Sequence, residues 1–293
     1  MPRVTIITAT YNWAPVLPYA IATVLGQTFS DFEHLVVGDG CTDDSAEVVA
    51  RAAGGDPRVR WFNLESNTGH QAGPNAEGLR QARGDLIAYL GHDDLWLPRH
   101  LELLVAAIDA EPDVAVVHAT TLMVRPDQAP FLRPADGWVY RPPAWIPPTT
   151  VVHRREPVLE VGGWRPPSPD DSADPDAELW ARVAARAPVR WVPRVTSVKL
   201  PASLRRDVYR TRPVHEQAYW LDRIRAAPDP EADLVAASNE PYALGLERRE
   251  RWTTGTERWA WGVRIRVRRL LGRPTMTSAE RHRVGRRFKG LEP

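Results

Sequence analysis

With 293 residues, 43% hydrophobic and 26% charged, the chain can bury the core of one large α/β domain with an extension, or of two small domains, and is not composed like a disordered protein. Its single cysteine, Cys41, excludes an internal disulfide framework and suits a reducing compartment; no apolar run approaches the roughly 20 residues needed to span a bilayer. Pro2 and Arg3 lead straight into the strand-like Val4–Ile7 with no signal-peptide pattern, so the expected location is cytoplasmic.

The first hundred residues alternate strand and helix patterns. Val4–Thr8 reads as a short strand, and residues 15–27 as a helix in which Val16, Ala20, Ile21, Val24 and Leu25 recur at helical spacing. His34–Val37 is a second strand. A helix over 46–53 follows, with Asp43, Asp44 and Ser45 as cap candidates. Val59–Phe62, a helix over 74–82 and the strand Leu86–Leu90 complete the series. Such alternation predicts right-handed crossovers and a mostly parallel sheet covered by helices, with the ligand site beyond the carboxyl ends of the strands. Three polar segments fall there: Tyr11–Asn12, Asp39–Asp44 and His92–Asp94.

Further along, a helix over 99–110 and a strand over 114–118 precede a proline-rich stretch from Pro126 to Pro148. A strand over 149–153, a helix over 156–161 and Gly162-Gly163-Trp164 come next. A loop dense in Pro and Asp (165–175), a helix over 176–187 and closing strands at 191–192 and 195–198 follow. Residues from about 201 onward read as mainly helical. The net charge of +1 is unevenly spread: residues 247–293 hold thirteen Arg and one Lys against five Glu, a surplus of nine, which leaves −8 on the rest. That basic segment interleaves Trp252, Trp259 and Trp261 with arginines. Docking on the acidic body, docking on a second subunit and peripheral contact with an anionic inner membrane face are its three readings. No nucleic-acid-binding motif accompanies it, and none is expected as a partner.

Familiar phosphate motifs are absent: no G-x-G-x-x-G follows the first strand, and no Walker-type lysine loop occurs. Asp93 and Asp94, adjacent carboxylates at a strand end, repel one another and invite a cation; hard oxygen ligands suit magnesium or manganese bridged to a diphosphate. The simpler reading is a solvated turn capping the next helix. Asp39 has two compatible readings, a tight Asp-Gly turn and an acceptor for a nucleobase or ribose.

Taken together, the blocks Val4–Asn12, Val24–Glu33, Val36–Ser45, Asn67–Gly69, Asn75, Gly78–Leu79, Ala82–Asp85 and His92–Asp94 resemble family-two glycosyltransferases in order and spacing. The resemblance runs from Val4 to about Leu104 and resumes from Val151 to about Pro193. It implies a GT-A (Rossmann-like) α/β fold with a mostly parallel sheet flanked by helices, in a catalytic domain over 1–200. Residues 1–120 would form its nucleotide-sugar half and 121–200 its acceptor half, with a basic, mainly helical extension over 201–293. It further implies a nucleotide-diphosphate sugar donor (a UDP-sugar favoured), a hydroxyl acceptor, a divalent cation (Mn²⁺ or Mg²⁺) and inverting transfer.

By position, Thr8, Tyr11 and Asp39 resemble the family's nucleoside contacts. Asp93 resembles the acidic residue facing the donor and a second metal partner, and Asp94 the main metal ligand. Asp176 falls at the general-base position, with Asp174 as the alternative. Two departures stand out: Gly91 and Gly38 replace acidic residues common in the family. His70, Gln71, His92, Lys199 and Trp164 are weaker candidates, for diphosphate, cation or acceptor contact. Competing classes are a sugar nucleotidyltransferase, disfavoured because Thr8–Pro15 is not a Gly-rich basic loop, and a degenerate GT-A fold used as a binding module.

Overall fold

The structure, a computed structural model, describes residues 1–126, 128–134, 140–141, 145–167, 174–238 and 286–287. Its elements in chain order are β1 (Val4–Thr10), α1 (Leu17–Leu25), β2 (Phe32–Gly38), α2 (Ser45–Ala53), β3 (Val59–Asn63), α3 (Ala72–Gln81) and β4 (Leu86–Tyr89). Then come β5 (Leu95–Trp96), α4 (His100–Ala110), β6 (Val116–Met123), β7 (Phe131–Arg133), β8 (Val151–Arg154), α5 (Arg155–Glu160), α6 (Pro175–Ala184) and β9 (Val189–Lys199). Among the described residues after the last strand are α7 (Val208–Thr211), α8 (His215–Ala226) and α9 (Pro230–Ala237).

The described strands form one sheet in the order β3-β2-β1-β4-β8-β6-β9-β5, with β7 beside β6. Strands β1 to β4 pair in parallel, as the alternation of strand and helix predicts. Beyond β4 the sheet becomes mixed: β8 is antiparallel to β4 and β6, β5 to β9, and β7 to β6, while β6 and β9 are parallel. The expected closing strands at 191–192 and 195–198 are one strand, β9, whose register against β6 shifts near Ala119–Thr121. Pro193, without an N–H, sits at that irregularity, where no ladder bond is lost.

Alternation along the strands divides the core. Ile7, Ile87 and Tyr89 face α3, α5 and α6, packing with Leu79, Val158, Leu179 and Trp180. Val4, Ile6, Leu86 and Ala88 face α1 and α4, packing with Val24, Leu101, Leu104 and Ile108. Helices α8 and α9 cover the far end of the sheet through Trp220, Leu221, Ile224 and Leu234 against Leu95, Leu122 and Val198. A buried ion pair, Arg205 Nε to Glu216 Oε2 at 2.6 Å, ties the segment after β9 to α8. Among the described residues no helix is long and apolar enough to cross a membrane. The basic segment lies outside the described residues except for 286–287.

Candidate active site

Local sequence builds the rim at the carboxyl ends of β1, β2 and β4. Asn12 takes a positive φ of 46°, and its side-chain Oδ1 accepts from the Thr42 N–H at 2.7 Å and the Asp43 N–H at 3.3 Å. The turn after β1 is thereby laced to the turn after β2. Gly40, at φ +70°, lies so close to the next loop that a Cβ would be 2.5 Å from backbone atoms of Ser66 and Asn67; the position requires glycine. Asp39 beside it is buried, and its carboxylate accepts from the Thr68 N–H (2.9 Å), Thr68 Oγ1 (2.7 Å), Asn67 Nδ2 (3.2 Å) and the Gly69 N–H (3.3 Å). Asp39 thus clasps the Asn67-Thr68-Gly69 loop against the sheet.

These turns open onto a cavity of about 660 Å³. Its wall includes Tyr11, Asp39, Asn67, His70 and Gln71, and also Trp145, Asp174 and Asp176. Gly91, His92, Asp93 and Lys199 are wall residues as well. So are Pro201, Ala202, Leu204 and Tyr209, beyond β9, and Arg286 from the basic segment. The Tyr209 ring packs near Trp13 (5.3 Å between centroids), His92 (6.4 Å) and Tyr11 (6.5 Å). Its hydroxyl holds its proton well above the usual tyrosine range, through burial first and then the charges of Asp93 and Asp39.

The two aspartates of the acidic turn have different environments. Asp94 is fully buried and is not part of the cavity wall. Its carboxylate accepts from Lys199 Nζ at 2.8 Å, from the Leu200 N–H at 2.9 Å and from Thr149 Oγ1. Asp94, expected as the main metal ligand, thus has three of its acceptor positions engaged within the protein, with Lys199 as its counter-ion on the cavity side. Burial acts to lower the Lys199 ammonium, but Asp94, Asp93 and Asp176 together carry it above the ordinary lysine value. Asp93 is the cavity-facing member. Its Oδ2 accepts from the Ala202 N–H at 3.2 Å, while Oδ1 accepts no hydrogen bond among the described residues. Burial first, and Asp94 second, raise its carboxyl above the usual range.

Among the described residues no cluster of three His, Cys, Asp or Glu could hold a metal unaided. The open oxygen of a charge-stressed Asp93 instead fits an ion held jointly by one carboxylate, substrate phosphates and water. Gly91 explains why a further carboxylate is missing. A Cβ there would lie 2.6 Å from Asp94 Oδ2 and 3.2 Å from Asp93 Oδ1. Gly38 behaves alike: a Cβ would meet Trp61 at 2.7 Å and the Asn63 side chain, which fill that place.

Thr8, expected as a nucleoside contact, is set back from the cavity. It is fully buried, bonded through Oγ1 to His34 Nε2 at 2.9 Å, and does not line the cavity. The reason is strand length: β1 runs two residues beyond Thr8, so Thr10 occupies the strand end and the cavity wall. Trp164 is likewise a core residue, its Nε1 donating to Tyr89 Oη at 2.8 Å. A tryptophan at the wall is Trp145, from the proline-rich stretch, for which the sequence carries no periodic signal.

Asp176 occupies the first turn of α6, after Asp174 and Pro175. It is buried on the cavity wall, accepting from Trp145 Nε1 (2.9 Å) at Oδ2 and from the Ala177 N–H (2.9 Å) at Oδ1. Its carboxyl is pushed up to about 6, mainly by burial with Asp174 adding, against the lowering action of Trp145, Ala177 and Lys199. A buried carboxylate with that affinity for a proton is suited to take one from a hydroxyl near neutral pH.

Comparison with known proteins agrees with this arrangement. Residues 5–134 match the sequence profile described as Glycosyl transferase family 2. An uncharacterized glycosyltransferase of Nostoc sp. is 32% identical over 175 residues, which are 54% of this chain and 52% of that protein; the chain thus spans about half that relative's length. Two solved structures share the fold. The mannosyltransferase PcManGT of Pyrobaculum calidifontis, in complex with GDP-Man and Mn²⁺, has a TM-score of 0.57 at 22% identity, covering 89% of this chain and 74% of that one. S. aureus TarS 1–349, in complex with UDP-GlcNAc, has a TM-score of 0.55 at 17% identity, covering 81% and 70%. Residues 5–134 carry the sequence pattern of glycosyl transferase family 2, and the chain has the GT-A fold.

Proposed function

We propose that this chain transfers a sugar from a nucleotide-diphosphate sugar to an acceptor hydroxyl, with inversion and with Asp176 as general base. The observation that carries the reading is that Tyr11, Asp39, Asp93, Lys199 and Asp176 share the wall of a single cavity. Tyr11 and Thr10, with the loop clasped by Asp39, receive the nucleoside. The diphosphate lies by Lys199 and Asp93. A divalent cation, Mn²⁺ or Mg²⁺, would be held by Asp93 and the diphosphate, and when bound it supplies positive charge against the growing charge of the leaving group.

Lys199 contributes the protein's own cation at the same place, fixed by Asp94. Asp176 takes the acceptor proton as the hydroxyl oxygen attacks the anomeric carbon. The bond from that carbon to the phosphate oxygen breaks on the opposite face, and the nucleoside diphosphate leaves with the electron pair. A UDP-sugar is the first donor to test, with a GDP-sugar second.

The test is manganese-dependent binding and slow hydrolysis across a panel of nucleotide sugars. The expected result is one preferred donor whose affinity falls when the cation is chelated and in Asp93→Asn. Binding that ignores both chelation and this substitution would remove the cation from the reading. Donor binding without any turnover to water or hydroxyl acceptors would favour a binding module instead.

A further inference from the structure

Arg133 ends β7 with its guanidinium in an unusual situation. The group is about half-buried and lies over the Trp145 ring, 5.0 Å from the centroid. No acidic side chain pairs with it among the described residues, and none of its N–H groups donates to one of them. Burial alone moves it, lowering its hold on its proton. A guanidinium presents its donors in a planar fork that matches the paired oxygens of a phosphate or carboxylate. Stacking on an indole satisfies its face and leaves that fork unused.

Its location gives the unused fork a role. Arg133, Phe131 and Trp145 line both the main cavity and an adjoining pocket of about 200 Å³ that His118 and Ile146 help to close. The same Trp145 donates from Nε1 to Asp176. The cation and the proposed base therefore sit on one indole, the first over its face and the second at its edge. Arg133 is not among the groups that set the proton affinity of Asp176, which answers to burial, Trp145, Asp174, Ala177 and Lys199. Tuning the base does not account for it. The diphosphate has its own cation in Lys199.

We propose that Arg133 is an oxyanion subsite for the acceptor, which carries a phosphate or carboxylate beside the hydroxyl that receives the sugar. This rests on Asp176 marking the acceptor side. The small adjoining pocket accommodates a group of a few atoms, so the anion enters it while the hydroxyl stays in the main cavity next to Asp176.

The test uses small anions and not the unidentified acceptor. Protein saturated with UDP and Mg²⁺ is titrated separately with methyl phosphate, acetate and methanol, with binding read by saturation-transfer NMR. Wild type, Arg133→Gln and Arg133→Lys are compared, and UDP affinity is measured for each. The expected result is binding of methyl phosphate, acetate or both, but not methanol. It weakens at least tenfold in Arg133→Gln and survives in part in Arg133→Lys, with UDP affinity unchanged in both. Methyl phosphate alone identifies a phosphate-bearing acceptor, and acetate alone a carboxylate-bearing one. Absence of anion binding to wild type, or equal binding to Arg133→Gln, overturns the subsite. Should Arg133→Gln not fold, loss of the anion in Arg133→Lys at unchanged UDP affinity supports the fork and equal binding refutes it. Failure of wild type to bind UDP would refute the preference for a UDP-sugar, and the anion titration, run with GDP or without nucleotide, is judged by the same outcomes.

Discussion

Replacing Asp176 with Asn separates catalysis from stability, because the structure assigns the same carboxylate opposite effects on the two. As a general base its loss should lower turnover by about 10²–10⁴-fold. As a buried acid with its carboxyl raised from 3.8 to about 6, it holds a proton more tightly folded than unfolded. Its contribution to stability is therefore greatest below its ordinary range and is lost as pH rises towards 6. Two pH units correspond to about 3 kcal/mol of destabilisation that wild type carries at neutral pH. Asn keeps an acceptor for Trp145 but weakens the bond from the Ala177 N–H, a loss of about 1 kcal/mol. The net gain is about 1–2 kcal/mol, or a rise of several degrees in melting temperature at pH 8 that shrinks towards pH 4. Thermal melts at several pH values and single-turnover transfer from a radiolabelled donor check both halves. Wild-type transfer should fall as pH drops below about 6. Retention of transfer within tenfold, or loss of donor binding in parallel with transfer, would refute the assignment of the base.

Lys199→Met leaves Asp94 buried without its counter-ion and should cost about 3–5 kcal/mol in urea unfolding, besides weakening donor binding. Asp93→Asn should act the other way on folding, raising stability at neutral pH because burial and Asp94 hold that carboxyl above its usual range, while abolishing the cation dependence of donor affinity. Gly91→Asp, which restores the common family residue, should not add a ligand. Its Cβ would press on an Asp94 oxygen already held by Lys199 and Thr149, so unfolding should become easier by about 1–3 kcal/mol with no gain in metal affinity, as calorimetry would measure.

The N-terminal half was legible because its elements are long enough to show a period. The helix over 46–53 and the strand over 34–37 lie within a residue or two of α2 and β2. Two-residue β5 and three-residue β7 carry no period and were not foreseen. Thr8 lies two residues short of the strand end and off the cavity wall, an offset of the size expected at element boundaries. Asp93 and Asp94 were distinguished only through the family resemblance; the ion pair of Asp94 with Lys199, over a hundred positions away, has no signal in the sequence. Arg133, Trp145 and Tyr209 belong to segments outside any periodic pattern; only tertiary folding brings them to the wall. Asp176 was placed by family resemblance, but its unusual proton affinity comes from burial, which the acidic composition of the surrounding loop would not have predicted.

The clasp of Asp39 on the Asn67-Thr68-Gly69 loop has a thermodynamic consequence. A loop that closes over a nucleotide normally surrenders its conformational entropy at the moment of binding, and affinity is reduced by that amount. Here four hydrogen bonds to one carboxylate hold the loop in place within the folded chain, so the entropy is lost during folding. Nucleotide association should then resemble entry into a preformed cleft, with a heat-capacity change set by the surface of the ligand and not by coupled ordering of protein. Asp39→Ala would transfer that ordering to the binding step, and the difference would appear as a larger heat-capacity change at weaker affinity.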